Sequence, residues 1–237
     1  MKELYWIIMG VMKLLAIIPA YNEQDCIVGT VMELQRVAPT VDILVINDGS
    51  TDDTGKICRR EGFNFLDLPV NVGLSTGFQA GMKYADRHGY DCAIQFDADG
   101  QHRPEYIQPM LDALVSEGAD IVIGSRFVSK KKGTSARMAG STLISFLIKL
   151  TTGKKLLDPT SGMRMYNRRA ISEFVKRSDF GPEPDTLAFL IRKGFEVIEV
   201  QAEMRERETG ESYLSFSKSI VYMVRAVVSI LIVQWLR

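Results

Sequence analysis

The stretch IQFDADGQHRPE, residues 94–105, ends an apolar run with Asp97 and Asp99, two carboxylates separated by one small residue. In an extended backbone the side chains at i and i+2 leave on the same side. Like charges held that way repel, and a divalent cation between them removes the repulsion. Carboxylate oxygens suit Mg²⁺ or Mn²⁺, ions that keep coordination positions for substrate phosphates. A nucleotide diphosphate would supply the oxygens that the chain does not. Two further polar clusters close apolar runs, PAYNE at 19–23 and NDGSTD at 47–52, and add Glu23 and Asp48.

These acids need a frame. Short, β-branched-rich runs recur at 14–20, 41–47, 63–68, 91–97 and 119–125. Their nearly continuous apolar character is that of strands covered on both faces. Helical segments alternate with them. Ile27, Val28, Val31, Leu34 and Val37 form one stripe over 25–37. Residues 50–62 open on capping residues and stop at Gly62, and 74–88 and 104–117 follow, the last with Pro104 at its start. The alternation predicts an α/β fold with a mostly parallel sheet and helices on both sides. In such a sheet ligands bind beyond the carboxyl ends of the strands, where the acidic clusters fall.

After residue 126 the pattern loosens. Residues 129–141 read as a polar loop in which Lys130, Lys131 and Lys132 are solvated, 143–150 as an apolar helix and 158–167 as turn-rich. The end, 216–237, reads as a long apolar helix carrying Lys218 and Arg225. Interrupted by Arg225, it falls short of the roughly 20 apolar residues of a spanning helix and suits a membrane interface. Residues 1–11 read as an extension ahead of a domain over 12–215.

Composition narrows the classes. Lysine plus arginine equals aspartate plus glutamate, 29 each, which does not suggest a nucleic-acid binder. Cys26, Cys58 and Cys92 are scattered and lack CxxC spacing, against a disulfide scaffold or zinc site and in keeping with a reducing cytosol.

Taken together, PAYNE, NDGSTDDT, NVGLSTG (71–77), DADGQH (97–102) and GSRF (124–127) resemble, in order and spacing, the family 2 glycosyltransferases of the GT-A fold. Within them the chain looks most like the dolichyl- or polyprenyl-phosphate sugar synthases, over about residues 13–215. The resemblance implies that Pro19, Tyr21, Glu23, Ile46 and Asp48 hold the nucleoside, and that Ala98 packs by the ribose. Asp97 and Asp99 would bind metal and diphosphate, with Gln101 a third ligand; His102 reads as a polar loop histidine. Arg126, Arg137, Ser141 and Arg207 would surround the acceptor phosphate, a task for which the fixed fork of arginine donors is suited. DPTSGMR (158–164) resembles a D-x-x-S-G-x-R segment and would place Asp158 near the acceptor, with Ser161 and Gly162 shaping the turn. Asn47 stands where the family usually has Asp, and Tyr213 where it often has Lys or Arg.

The implied activity is an inverting, Mg²⁺- or Mn²⁺-dependent transfer of a hexose from a UDP- or GDP-sugar to a polyprenyl phosphate at the cytosolic face of a membrane. Asp99, Arg126 and Asp158 are the expected catalytic residues. An acceptor hydroxyl would instead require a base, for which Asp158, Glu183 and Asp185 are candidates. A haloacid-dehalogenase-type phosphatase would need an aspartate on the first strand, which reads IIPAYNE. A sugar-nucleotide-binding protein without catalysis is the remaining alternative.

Overall fold

The computed structural model describes residues 12–130, 132–133, 136–205 and 223–233. Seven strands form one sheet in the order β3-β2-β1-β4-β6-β5-β7. They are β1 (Leu14–Ala20), β2 (Asp42–Asp48), β3 (Phe65–Leu68), β4 (Cys92–Gln95), β5 (Ile121–Ser125), β6 (Arg164–Asn167) and β7 (Val197–Gln201). All neighbouring pairs are parallel except β4–β6 and β5–β6. The sheet is thus mostly parallel, as its apolar runs imply, with one reversed strand inserted. Because β6 alone runs backwards, β1, β2, β4 and β5 all end at the same edge.

The helices are α1 (Ile27–Val37), α2 (Thr54–Arg60), α3 (Leu74–Arg87), α4 (Ile107–Ser116), α5 (Ala136–Thr152), α6 (Arg168–Lys176) and α7 (Pro184–Arg192). Local chemistry fixes their starts. Asn167 Oδ1 accepts from the Ala170 N–H at 2.9 Å and caps α6. Pro184 opens α7, where its missing N–H costs nothing.

Period-two alternation sends β1 into two cores. Leu15 and Ile17 join Phe78, Met82 and Phe174 on one face, while Leu14, Ala16 and Ile18 join Ile27, Leu34 and Met110 on the other. Each of the large side chains among them contributes about 1.5–3 kcal/mol when fully buried. Helix α3 sits close because Gly81 faces Ile17: an added Cβ would stand 2.4 Å from Ile17 Cγ2. Segment 223–233 is helical, with Ser229–Val233 π-helical. Ala226 and Ile230 enter the core, whereas Val224, Val228, Leu231 and Ile232 face outward. Helix α5 beside it exposes Leu143, Phe146 and Leu150.

No helix among the described residues is long and apolar enough to cross a membrane. Residues 1–11, 206–222 and 234–237, which include the expected extension, Arg207 and much of the expected terminal helix, lie outside the described residues.

Candidate active site

Loops at the carboxyl edge enclose a cleft of about 250 Å³ lined by Pro19, Ala20, Tyr21, Glu23, Asp48, Asn71, Gly73, Leu74, Asp97, Ala98 and Asp99. Its first wall follows β1. Asn22 is left-handed, φ 56°, a conformation asparagine tolerates better than most residues. Its Oδ1 accepts the Thr51 N–H at 2.8 Å, and its own N–H donates to Ser50 Oγ at 3.0 Å. The Glu23 N–H donates to Thr54 Oγ1 at 2.9 Å. The turns after β1 and β2 are thereby stitched together, and present Tyr21 and Glu23 to the cleft.

Asp48, only 4% exposed, ends β2. Its Oδ1 and Oδ2 accept the N–H groups of Val72 and Gly73 at 2.8 and 2.9 Å, fixing the loop that leads into α3. That approach needs Gly49: it has φ +63°, and a Cβ there would lie 2.2 Å from the Val70 carbonyl carbon. Next to it, Asn47 Nδ2 donates to Asp67 Oδ1 at 2.7 Å. An aspartate at 47 would face the Asp67 carboxylate, which is a physical reason for this chain to carry the amide.

The third wall follows β4. Asp97 Oδ1 accepts from Gln95 Nε2 at 3.2 Å, and Asp97 Oδ2 lies 3.4 Å from His102 Nε2. Asp99 Oδ1 accepts the Gln101 N–H at 3.1 Å in a tight turn completed by Gly100, φ +74°. The Ala98 carbonyl accepts from Thr30 Oγ1 at 2.8 Å, anchoring the turn to α1. Among the described residues no three His, Cys, Asp or Glu side chains converge as a metal site. Asp97 and Asp99 therefore offer two hard acids to a cation whose other ligands must come from elsewhere.

Two expected residues lie back from the cleft wall. Ile46 was expected at the nucleoside; its side chain is fully buried in the core and is not in the cleft lining, because both faces of β2 are covered. Gln101 gives its N–H to Asp99 but is likewise absent from the lining. Asn71, Gly73 and Leu74 line the cleft unforeseen, although their motif NVGLSTG is visible in the sequence. His102, which reads as a polar loop histidine, is buried, 3% exposed.

Two strands from Asp97, Arg126 leaves β5 at the same edge; two strand spacings are about 10 Å. Its Nε and Nη2 donate to Asp158 Oδ2 and Oδ1 at 2.8 and 2.9 Å, and its backbone N–H adds a third bond at 3.1 Å. Asp158 is fully buried. Burial by itself would raise its pKa, but the Arg126 guanidinium outweighs this and holds the carboxyl below the usual range. Asp158, expected near the acceptor and as a candidate base, is thus held against Arg126.

Ser141, also buried, shares a hydrogen bond with Thr160 Oγ1 at 3.1 Å and accepts from Lys132 Nζ at 2.9 Å. Lys132 is not a solvated loop lysine: burial pushes its pKa down, and its ammonium lies 5.4 Å from the Phe127 ring centroid. Arg137 lies in α5, with its side chain outside the described part.

Segment 158–164 spans the two halves of the site. Ser161 Oγ donates to the Gly124 carbonyl at 2.6 Å. Arg164, 1% exposed, donates to the carbonyls of Ser161 and Pro159 at 2.9 and 2.7 Å, and its Nη1 lies 3.5 Å from the Glu183 carbonyl. This buried guanidinium was not foreseen, though its signal is the R of DPTSGMR. Of the remaining base candidates, Asp185 is buried against Ser229 Oγ, away from the cleft lining. Glu183 Oε1 stands 3.4 Å from Ser75 Oγ at the start of α3 and is not in the lining.

A family model described as glycosyl transferase family 2 matches residues 15–175. The polyprenol monophosphomannose synthase of Mycolicibacterium smegmatis is 32% identical over 86% of this chain and 81% of its own length. The undecaprenyl-phosphate mannosyltransferase of Micrococcus luteus is 34% identical over 86% of this chain and 88% of its own. Among solved structures, glucosyl-3-phosphoglycerate synthase from Mycobacterium tuberculosis, in complex with Mn²⁺, UDP and phosphoglyceric acid, superposes with a TM-score of 0.67 at 16% identity, covering 95% of this chain and 79% of that one. That likeness concerns the fold.

Proposed function

This chain belongs to glycosyl transferase family 2 and is a glycosyltransferase, and we propose that it moves a hexose from a nucleotide-sugar to a polyprenyl phosphate with inversion. The observation that carries this reading is the state of the carboxylates beyond the cleft. Asp158 is gripped by Arg126 and Asp185 by Ser229, so neither is placed to take a proton from a hydroxyl, and Glu183 stands against Ser75 Oγ outside the cleft lining. Cationic Arg126 and Lys132, with Ser141 between the latter and Thr160, offer donors to an acceptor that is already anionic.

The donor's base and ribose lie against Tyr21, Glu23 and Asp48, and its diphosphate against Asp97 and Asp99. A bound Mg²⁺ or Mn²⁺, held by those two acids, would neutralise charge growing on the nucleoside diphosphate. An acceptor phosphate oxygen forms its bond to the anomeric carbon as the bond to the diphosphate breaks on the opposite face. No general base is needed, and Arg126 supplies orientation. Outward-facing Leu143, Phe146 and Leu150 of α5, with exposed Lys149, and Val228, Leu231 and Ile232 beside exposed Arg225, support docking on the cytosolic face of an anionic membrane. The names of the two bacterial relatives support the lipid acceptor.

The test is product analysis. The protein in detergent receives polyprenyl phosphate, Mn²⁺ and, one at a time, radiolabelled UDP-glucose, GDP-mannose and related donors. One donor should yield a labelled lipid that mild acid cleaves, and Asp99→Ala should abolish it. Transfer only to saccharide hydroxyls would replace this reading with the base-dependent one. Donor binding without turnover on any acceptor would leave only a binding protein.

A further inference from the structure

We propose that His102 is a positioning residue that, as a fixed Nε2–H tautomer, sets the direction of the Asp97 carboxylate. This rests on the reading of Asp97 and Asp99 as cation-binding acids. The Asp97 backbone N–H points at His102 Nδ1 across 2.9 Å. An amide N–H can only donate, so Nδ1 carries its lone pair and the ring proton sits on Nε2. Nε2 in turn lies 3.4 Å from Oδ2 of the same aspartate. One imidazole thus meets one residue at two points, by a hydrogen bond to the main chain and by an electrostatic contact to the side chain.

The surroundings fix the ring and close the clamp. His102 meets Phe96 edge-on, with ring centroids 5.4 Å apart. The other carboxylate oxygen accepts from Gln95 Nε2, and Gln95 is itself 2% exposed. On the far side lies Gly162. An added Cβ there would stand 3.0 Å from Asp97 Oδ2 and 3.5 Å from His102 Cε1 and Nε2. Gly162 does not have a positive φ, so its missing side chain answers to this contact and not to backbone strain.

The clamp has work to do. Asp97 and Asp99 share one edge of the cleft, and their repulsion would turn a free Asp97 side chain away. The Gln95 N–H donated to Oδ1 and the polar Nε2–H edge of the ring 3.4 Å from Oδ2 keep it aimed while leaving lone pairs for a cation. Groups that orient a metal-binding side chain typically change metal affinity about 10–100-fold when removed.

The full chain is titrated with Mn²⁺ alone, and free ion is read by electron paramagnetic resonance. His102→Asn keeps an acceptor near Nδ1 but loses the polar N–H beside Oδ2; His102→Gln restores an N–H near the Nε2 position. His102→Asn should weaken Mn²⁺ binding about tenfold, with His102→Gln within about threefold of the parent. Gly162→Ala, which crowds Oδ2 at 3.0 Å and meets the ring only at an ordinary contact distance of 3.5 Å, should weaken it about tenfold and decides the matter if the histidine variants fail to fold. Wild-type Mn²⁺ affinity in His102→Asn and Gly162→Ala, with affinity lost in Asp97→Asn, overturns the positioning role alone. Wild-type affinity in Asp97→Asn and Asp99→Asn as well overturns the cation reading beneath it.

Discussion

Arg126 and Asp158 form a two-pronged ion pair, Nε and Nη2 against Oδ2 and Oδ1, in which the acid is fully buried and the base only partly so. The acid serves the base. Breaking such a pair from one side leaves an uncompensated charge, which is far costlier than the pair itself is stabilising. Arg126→Lys keeps the charge but not the fork. It should raise the apparent KM for polyprenyl phosphate about tenfold while nucleotide affinity stays within about twofold. Steady-state kinetics with each substrate varied in turn checks this.

The same pair sets an acid limit. The folded pKa of Asp158 is depressed, so its contribution is present above the unfolded value of about 3.9 and is lost as pH falls through the lower folded value. Denaturant midpoints measured from pH 6 downward should fall steeply below about pH 4. In Asp158→Asn the midpoint should be lower at pH 6 and the acid limb flatter.

Arg164 organises the loop that joins the two halves of the site through three backbone carbonyls. Arg164→Met fills similar space but leaves those acceptors without the guanidinium. Each buried group left unsatisfied costs about 1–3 kcal/mol. Chemical denaturation should show a loss of at least about 2 kcal/mol, and a loss under about 0.5 kcal/mol would contradict the role.

Gly81 faces Ile17 where α3 crosses β1. Gly81→Ala should destabilise by about 1–3 kcal/mol, since the crowding of a filled core exceeds the helix-propensity gain. Gly81→Ala combined with Ile17→Val should recover part of it, and a thermal melt reads both.

The outward apolar residues of α5 and of 223–233 can be tested without removing the segment, whose Ala226 and Ile230 belong to the core. Phe146→Glu and Ile232→Glu should each lower co-sedimentation with anionic phospholipid vesicles at least fivefold, with melting temperature unchanged within about 2 °C. Unchanged vesicle binding in the double variant would remove the membrane-docking assignment.

The frame of this molecule is legible because buried parallel strands announce themselves as short β-branched runs, and the acids of the cleft end those runs. The reversed strand β6 is not legible: four residues after a turn-rich stretch carry no period of their own, and antiparallel pairing on both sides is a tertiary fact. The inward turn of the Ile46 side chain is hidden for a related reason. A strand covered on both faces alternates apolar with apolar, so its sequence does not say which side chain looks toward the cleft. Asp158 and Arg126 are 32 residues apart, and nothing in either neighbourhood shows that one would bury itself against the other. The burial of His102 depends on Gly162, which reaches it only after the sheet is assembled.

Segment 223–233 meets the body of the protein mostly through hydrocarbon, which resists separation but hardly resists rolling about the helix axis. The hydroxyl of Ser229, sunk against Asp185 at the head of α7, supplies the missing directional key. Turned by a single residue, about 100°, the segment would carry the hydroxyl away from that carboxylate. One serine thus helps to set which greasy flank this helix shows to the outside.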